Sequence, residues 1–135
     1  NMKEQSAGGV IVKDGKVVIV TQRKRKGLFS LPKGHINSDE NPLEAAYREI
    51  YEETGLIKDD LRFVKKLGMY NRPSGKEGNT KDFHFFLFKT DKDELKPIDK
   101  DNPEAMWIEI AKVAEFLRRK EDKEFFLNFV DEYNL

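Results

Sequence analysis

The sequence contains no cysteine among its 135 residues. That absence removes disulfides, Cys-ligated zinc, iron–sulfur clusters and thiol nucleophiles together. Runs of apolar side chains are also short, as in the four residues Val17-Val18-Ile19-Val20, far below the roughly 18 that a membrane span requires. No signal-peptide pattern opens the chain. Net charge is missing as well, since 25 Lys+Arg balance 25 Asp+Glu, whereas a general polyanion binder carries a basic excess over the whole domain. The expectation is a cytoplasmic protein with a small-molecule partner, neither nucleic acid nor membrane, acting as a monomer or homodimer. The length suits one domain, taken as residues 2–135, with a core large enough to need no staples.

What is present is charge in blocks. Between residues 21 and 36 the charged side chains are Arg23, Lys24, Arg25, Lys26 and Lys33, all positive, while residues 37–54 hold Asp39, Glu40, Glu44, Glu49, Glu52 and Glu53 against Arg48 alone. Such blocks are ordinarily solvated faces, but a basic block abutting an acidic one also suits a metal-bridged phosphate ligand.

Residues 7–12 and 16–21 are β-rich and are separated by Asp14-Gly15, a tight-hairpin pair. A loop is expected over 22–28 and a short strand over 29–32, ended by Pro32. Asn41 as cap, Pro42 in the first turn and Gly55 as stop frame a helix. Its stripe is Leu43, Ala46, Tyr47, Ile50 and Thr54. Strands are expected over 61–70 and over 82–89, which carries Phe83, Phe85, Phe86 and Phe88. A polar loop over 71–81 lies between them. A charged linker over 90–103 leads to a strand near 106–110, and 111–133 reads as one or two amphipathic helices. Phe125, Phe126 and Phe129 are expected to pack internally. The fold class is α/β, with helices layered on a mixed β-sheet.

On the helix after Pro42, Glu49, Glu52 and Glu53 fall in one sector. Like charges so spaced repel, and Arg48, which reaches Glu52 at i,i+4, cannot neutralise three acids. A hard divalent cation could, because carboxylate oxygens suit Mg²⁺, Mn²⁺ or Ca²⁺. Asn37, Asp39 and Asn41 imitate the start of an EF-hand loop, but Pro42 stands where glycine is needed and Arg48 where the bidentate Glu belongs. Gly75-Lys76 is followed by Glu77, so no Walker-type phosphate loop is present.

Gly34, five residues, Glu40, seven residues, then Arg48-Glu49-Ile50-Tyr51-Glu52-Glu53-Thr54-Gly55-Leu56 match every fixed position of the Nudix signature, and the chain resembles the Nudix hydrolase family. The flanks resemble it too, in Ala7-Gly8-Gly9-Val10, Leu31-Pro32-Lys33-Gly34-His35 and Trp107, so the likeness covers residues 7 to about 117. It implies a Nudix-type α/β/α sandwich and hydrolysis of a nucleoside diphosphate linked to another group, with Mg²⁺ or Mn²⁺ and no covalent intermediate.

Carried onto this chain, the resemblance makes Glu52 and Glu53 the main metal ligands, joined by the Lys33 or Gly34 carbonyl. Glu49 completes the metal site or takes the proton from water, Arg48 holds a glutamate in place, and Glu40 supports the site. Asp101 and Glu104 compete with Glu49 as base. Lys33, His35, Arg23, Arg25 and Tyr70 are candidate substrate contacts, and His84 is read as structural. The substrate expected first is a dinucleoside polyphosphate such as diadenosine tetra- or hexaphosphate. ADP-ribose or a nucleotide sugar follows, the former because of Pro73, then a nucleoside triphosphate. A non-catalytic nucleotide sensor is the alternative of another class.

Overall fold

The computed structural model describes residues 2–22, 25–101 and 103–134, except for the side chains of residues 22, 25 and 26. Asp14 and Gly15, at φ 49° and 74°, make the tight turn that joins β1 (Lys3–Lys13) to β2 (Lys16–Gln22), the two positive φ angles matching the twist of the paired strands. β1 begins four residues before the expected start because it pairs in parallel with β6 (Thr80–Lys89), in register from Lys3↔Thr80 to Val12↔Lys89. The expected loop over 22–28 and strand over 29–32 are corrected. β3 (Arg25–Ser30) starts at Arg25 and pairs with β2 from Gln22↔Arg25. Residues Lys33–His35 form a further strand, β4, against Ser6, Ala7 and Gly8.

β5 (Arg62–Pro73) runs to Pro73, which pairs with Thr80, so the loop expected over 71–81 shrinks to a short connection. β7 (Ala105–Glu109) pairs with β2. The sheet order is β3-β2-β1-β6-β5, with β4 on β1 and β7 on β2. One parallel pair among antiparallel ones makes the sheet mixed.

The chain alternates sides of this sheet with period two. Along β6, Phe83, Phe85 and Leu87 enter one core with Val113 of α2 (Ile110–Phe116) and Phe125 and Phe126 of α3 (Lys120–Asn128). Phe86 and Phe88 enter the other with Ala45, Ala46 and Ile50 of α1 (Pro42–Thr54). Helices cover both faces, which is why β6 tolerates aromatics on either side. The arrangement is the expected α/β layering. Among the described residues no helix is long and apolar enough to cross a membrane.

α1 carries the acidic motif, and local chemistry fixes both its ends. Asn41 Oδ1 accepts from the Glu44 amide at 2.8 Å, and Glu44 Oε1 accepts from the Asn41 amide at 2.9 Å, a reciprocal cap. Gly55 ends the helix at φ 81°, and a Cβ there would overlap the Lys96 carbonyl oxygen. The linker after β6 crosses at that point, its Lys96 amide donating to the Thr54 carbonyl and its Ile98 and Asp99 amides to that of Glu52. Asn41→Ala should lower unfolding free energy by about 1 kcal/mol, a fall of about 3 °C in Tm readable by thermal melting.

Candidate active site

β4 and the carboxylate face of α1 meet across one close approach. A Cβ on Gly34 would occupy the space of the Glu49 carboxyl group, so only glycine lets that carboxylate lie against the β4 backbone. One residue earlier, the Lys33 amide donates to Glu53 Oε1 at 3.1 Å. Glu53 also shares a hydrogen bond with Glu49; burial first, and then that neighbouring carboxylate, push the Glu53 carboxyl up to about 9. Two carboxylates held side by side with little water favour retention of a proton, burial and the neighbouring carboxylate outweighing the Lys33 charge.

Arg48 organises the acids on the outer side. Its Nε and Nη2 donate to Glu40 at 2.6 and 3.0 Å, Nη2 also reaches the His35 carbonyl at 2.8 Å, and Nη1 donates to Glu49 at 2.8 Å and to Glu52 at 3.1 and 3.2 Å. The guanidinium holds the Glu40 carboxyl below the usual carboxylate range, and Glu40 in turn accepts from the Asn37 amide at 2.9 Å. The three glutamates of the acidic face of α1, Glu49, Glu52 and Glu53, therefore divide. Glu52 is taken up by Arg48, Glu53 faces Lys33, and Glu49 touches both. Among the described residues no three His, Asp or Glu side chains are grouped so that they could hold a metal ion.

A divalent cation nevertheless fits the inner pair. Glu49 and Glu53 supply only oxygen donors, as Mg²⁺ and Mn²⁺ prefer, and the proton retained there marks where a cation would be balanced. Arg48→Lys replaces a forked donor by a single ammonium that cannot reach Glu40, Glu49 and Glu52 together. Turnover of the metal-loaded protein should drop about 10- to 100-fold, measured as kcat against the unaltered chain.

The candidate substrate contacts spread out. His35 is exposed, and its carbonyl serves Arg48. Arg23 and Lys24 lie outside the described residues, as do the side chains of Arg25 and Lys26. Lys33 sends its ammonium over the Phe83 ring, 5.2 Å from the centroid, and burial, followed by the Arg72 charge, pulls it below its usual value. Tyr70 is not an open platform for a base. It stacks on Phe83 at 5.1 Å, and its hydroxyl donates to Asp122 at 2.6 Å.

Of the alternative bases, exposed Asp101 sits in the segment that hangs from the Glu52 carbonyl, and Glu104 accepts from the Thr21 amide at its carbonyl and donates its amide to the Thr21 hydroxyl. His84 bonds Gln5 at 2.8 Å, as a structural residue would. Trp107 packs beside the α1 core.

The sequence reading missed Arg72 and Asp122, both buried, with Arg72 Nε donating to Asp122 at 3.1 Å. A signal existed: Asp122 lies three and four residues before Phe125 and Phe126, on the apolar stripe of its helix, and Arg72 shares a strand face with Tyr70.

The NUDIX domain family matches residues 2–129. Among curated proteins, a Mycobacterium tuberculosis protein named mutator protein MutT4 is 30% identical over 129 residues, 89% of this chain and 52% of its own. An ADP-ribose pyrophosphatase of Methanocaldococcus jannaschii is 40% identical over 67 residues, 48% of this chain and 38% of its own. The chain thus spans about half the length of these relatives, or less. Among solved structures, an Ap4A hydrolase of C. elegans superposes with a TM-score of 0.75 at 22% identity, covering 96% of both chains; at that identity the likeness is one of fold.

Proposed function

Because the chain belongs to the Nudix domain family, we propose that it is a metal-dependent hydrolase that cleaves a phosphoanhydride bond in a nucleoside diphosphate linked to another group. The observation that carries this is the Glu49–Glu53 pair, seated against the β4 backbone at Gly34 and Lys33. Glu49 and Glu53, with the Lys33 or Gly34 carbonyl, would hold Mg²⁺ or Mn²⁺. Glu52 is held back on Arg48, one exchange of partner away. When bound, the cation supplies charge neutralisation for the phosphate oxygens and a lower pKa for water.

The chain's own groups do the rest. Arg48 fixes the directions of Glu49 and Glu52, Glu40 fixes Arg48, and the Lys33 amide fixes Glu53. A carboxylate of this set, or Asp101 or Glu104 from the strands' connecting segments, accepts the proton of the attacking water. In-line attack then needs the anhydride positioned beside β4, where the Lys33 ammonium provides positive charge.

Within that class, ADP-ribose or a nucleotide sugar is supported by the M. jannaschii relative, while a nucleoside triphosphate or a dinucleoside polyphosphate is supported by the cationic side chains around Phe83. The test is phosphate or nucleotide release with Mg²⁺ from a panel of ADP-ribose, nucleoside triphosphates and diadenosine tetraphosphate, with products separated to identify the bond cut. Turnover that disappears in Glu53→Gln supports the proposal. Equal turnover in that variant would overturn the assignment of Glu53, and nucleotide binding without turnover across the panel would make the chain a sensor module.

A further inference from the structure

The Phe83 ring gathers three cationic side chains. Arg72 lies 4.5 Å from its centroid, Lys33 5.2 Å and Lys81 5.8 Å. They come from three strands: Arg72 and Lys81 are opposite one another in the β5–β6 ladder, and Lys33 arrives from β4 across Gly8, where a Cβ would overlap Pro32 and Lys33. Like charges brought together at the edge of a core repel unless an anion answers them.

Few resident acids answer them, and Asp122 and Glu53 act on Lys33 only through space. Asp122 of α3 takes Arg72 and the Tyr70 hydroxyl, and Glu4 reaches Lys81 only at 4.0 Å. Among the described residues the Lys33 ammonium has no ion pair and no hydrogen bond. The aromatic ring gives these cations a partial partner; Arg72 also donates to Asp122 and to the Pro73 carbonyl, but among the described residues the ring leaves the Lys33 ammonium without a hydrogen-bond acceptor. A tetrahedral anion with several oxygens can accept from an ammonium and a guanidinium together.

The position of the cluster connects it to the cleavage site. Lys33 belongs to both, its amide on Glu53 and its ammonium on Phe83. An anion bound by the cluster therefore lies one lysine side chain away from the carboxylate pair, which is where the next phosphate of a chain would fall if the anhydride were held at Glu49 and Glu53.

We propose that Lys33, Arg72 and Lys81 form a binding site for a phosphate group beyond the anhydride that is cleaved, and that Asp122 occupies this site's charge until substrate arrives. The chain then selects a nucleotide carrying three or more linked phosphates over ADP-ribose, whose two phosphates leave the cluster empty. This rests on the hydrolase reading above. On arrival of substrate, Arg72 exchanges the Asp122 carboxylate for a phosphate oxygen, and Tyr70 keeps Asp122 hydrogen-bonded.

The experiment separates binding from turnover. In chelator, without metal, titration calorimetry with inorganic tripolyphosphate and with pyrophosphate should show tripolyphosphate bound about tenfold more tightly, the scale of one hydrogen bond between charged groups. Lys81→Gln, at a partly exposed position, should remove that preference, and Asp122→Asn, which keeps the hydrogen bonds but not the charge, should strengthen tripolyphosphate binding. A merely structural Asp122 would weaken it or leave it unchanged. With metal, Lys81→Gln should raise KM for a nucleoside triphosphate about tenfold with kcat retained, and leave KM for ADP-ribose unaltered.

No preference in the parent chain, or a preference that survives Lys81→Gln, would overturn the proposal even if hydrolysis is robust. Selective tripolyphosphate binding in a chain inactive on every nucleotide would uphold this site while ending the hydrolase reading.

Discussion

Glu53→Gln should lower turnover by about three orders of magnitude, equivalent to about 4 kcal/mol of transition-state stabilisation, and at the same time make the metal-free protein more stable in alkaline solution. The two effects have one cause. The Glu53 carboxyl is raised from 4.5 to about 9 by burial and by Glu49, so between those values the folded chain keeps a proton that the unfolded chain has released.

The contribution of Glu53 to the stability of the metal-free protein is therefore fully present below about pH 4.5, is lost as pH rises, and is gone above about pH 9. Glutamine is uncharged at every pH and removes this slope. Denaturant melts of both proteins in chelator, from about pH 5 to about pH 9.5, read the difference directly. Parallel curves across that range would show that Glu53 is not the group retaining the proton. Added Mg²⁺ should stabilise the parent protein more strongly as pH rises, because the cation replaces the proton, and should do little for the glutamine variant.

Gly8→Ala should remove about 3 kcal/mol of stability and nearly all activity. A Cβ at position 8 would overlap the Pro32 carbonyl oxygen and lie 2.6 Å from the Lys33 Cβ and 2.9 Å from the Lys33 Cα. Backbone cannot yield as a flexible side chain can, so β4 must move away from β1. That movement takes the Lys33 amide from Glu53, the Gly34 backbone from Glu49 and the Lys33 ammonium from Phe83. Melting temperature and kcat measured together test this, and a variant with native kcat would show that β4 can shift without consequence for the site.

Legibility in the sequence follows how local each determinant is. α1 was readable because Asn41, Pro42 and Gly55 act within a few residues of themselves, and the first hairpin was readable in Asp14-Gly15 alone. β4 was not, since three residues make no periodic pattern and their strand form comes from Ser6, Ala7 and Gly8. The early start of β3 and the late end of β5 are likewise set by ladder partners.

The site shows the same division. Glu49, Glu52 and Glu53 announce themselves by helical spacing, but their different partners depend on Arg48 turning outward and Lys33 approaching from β4. The meeting of Arg72 with Asp122, 50 positions apart, is a matter of packing that only the fold reveals.

The parallel pairing of β1 with β6 bears on how the molecule comes into being. Gln5 and Asp82 bond side chain to side chain across 77 positions, and the intervening chain must be confined before the centre of the sheet can close. Such nonlocal closure slows folding into the range of milliseconds to seconds, and a nascent chain that has not yet extended past β6 exposes an unpaired β1 edge. Until that moment α1 has only part of its floor, because Phe86 and Phe88 of β6 belong to the core on which it packs, and an unpaired edge of this kind is where chains adhere to one another.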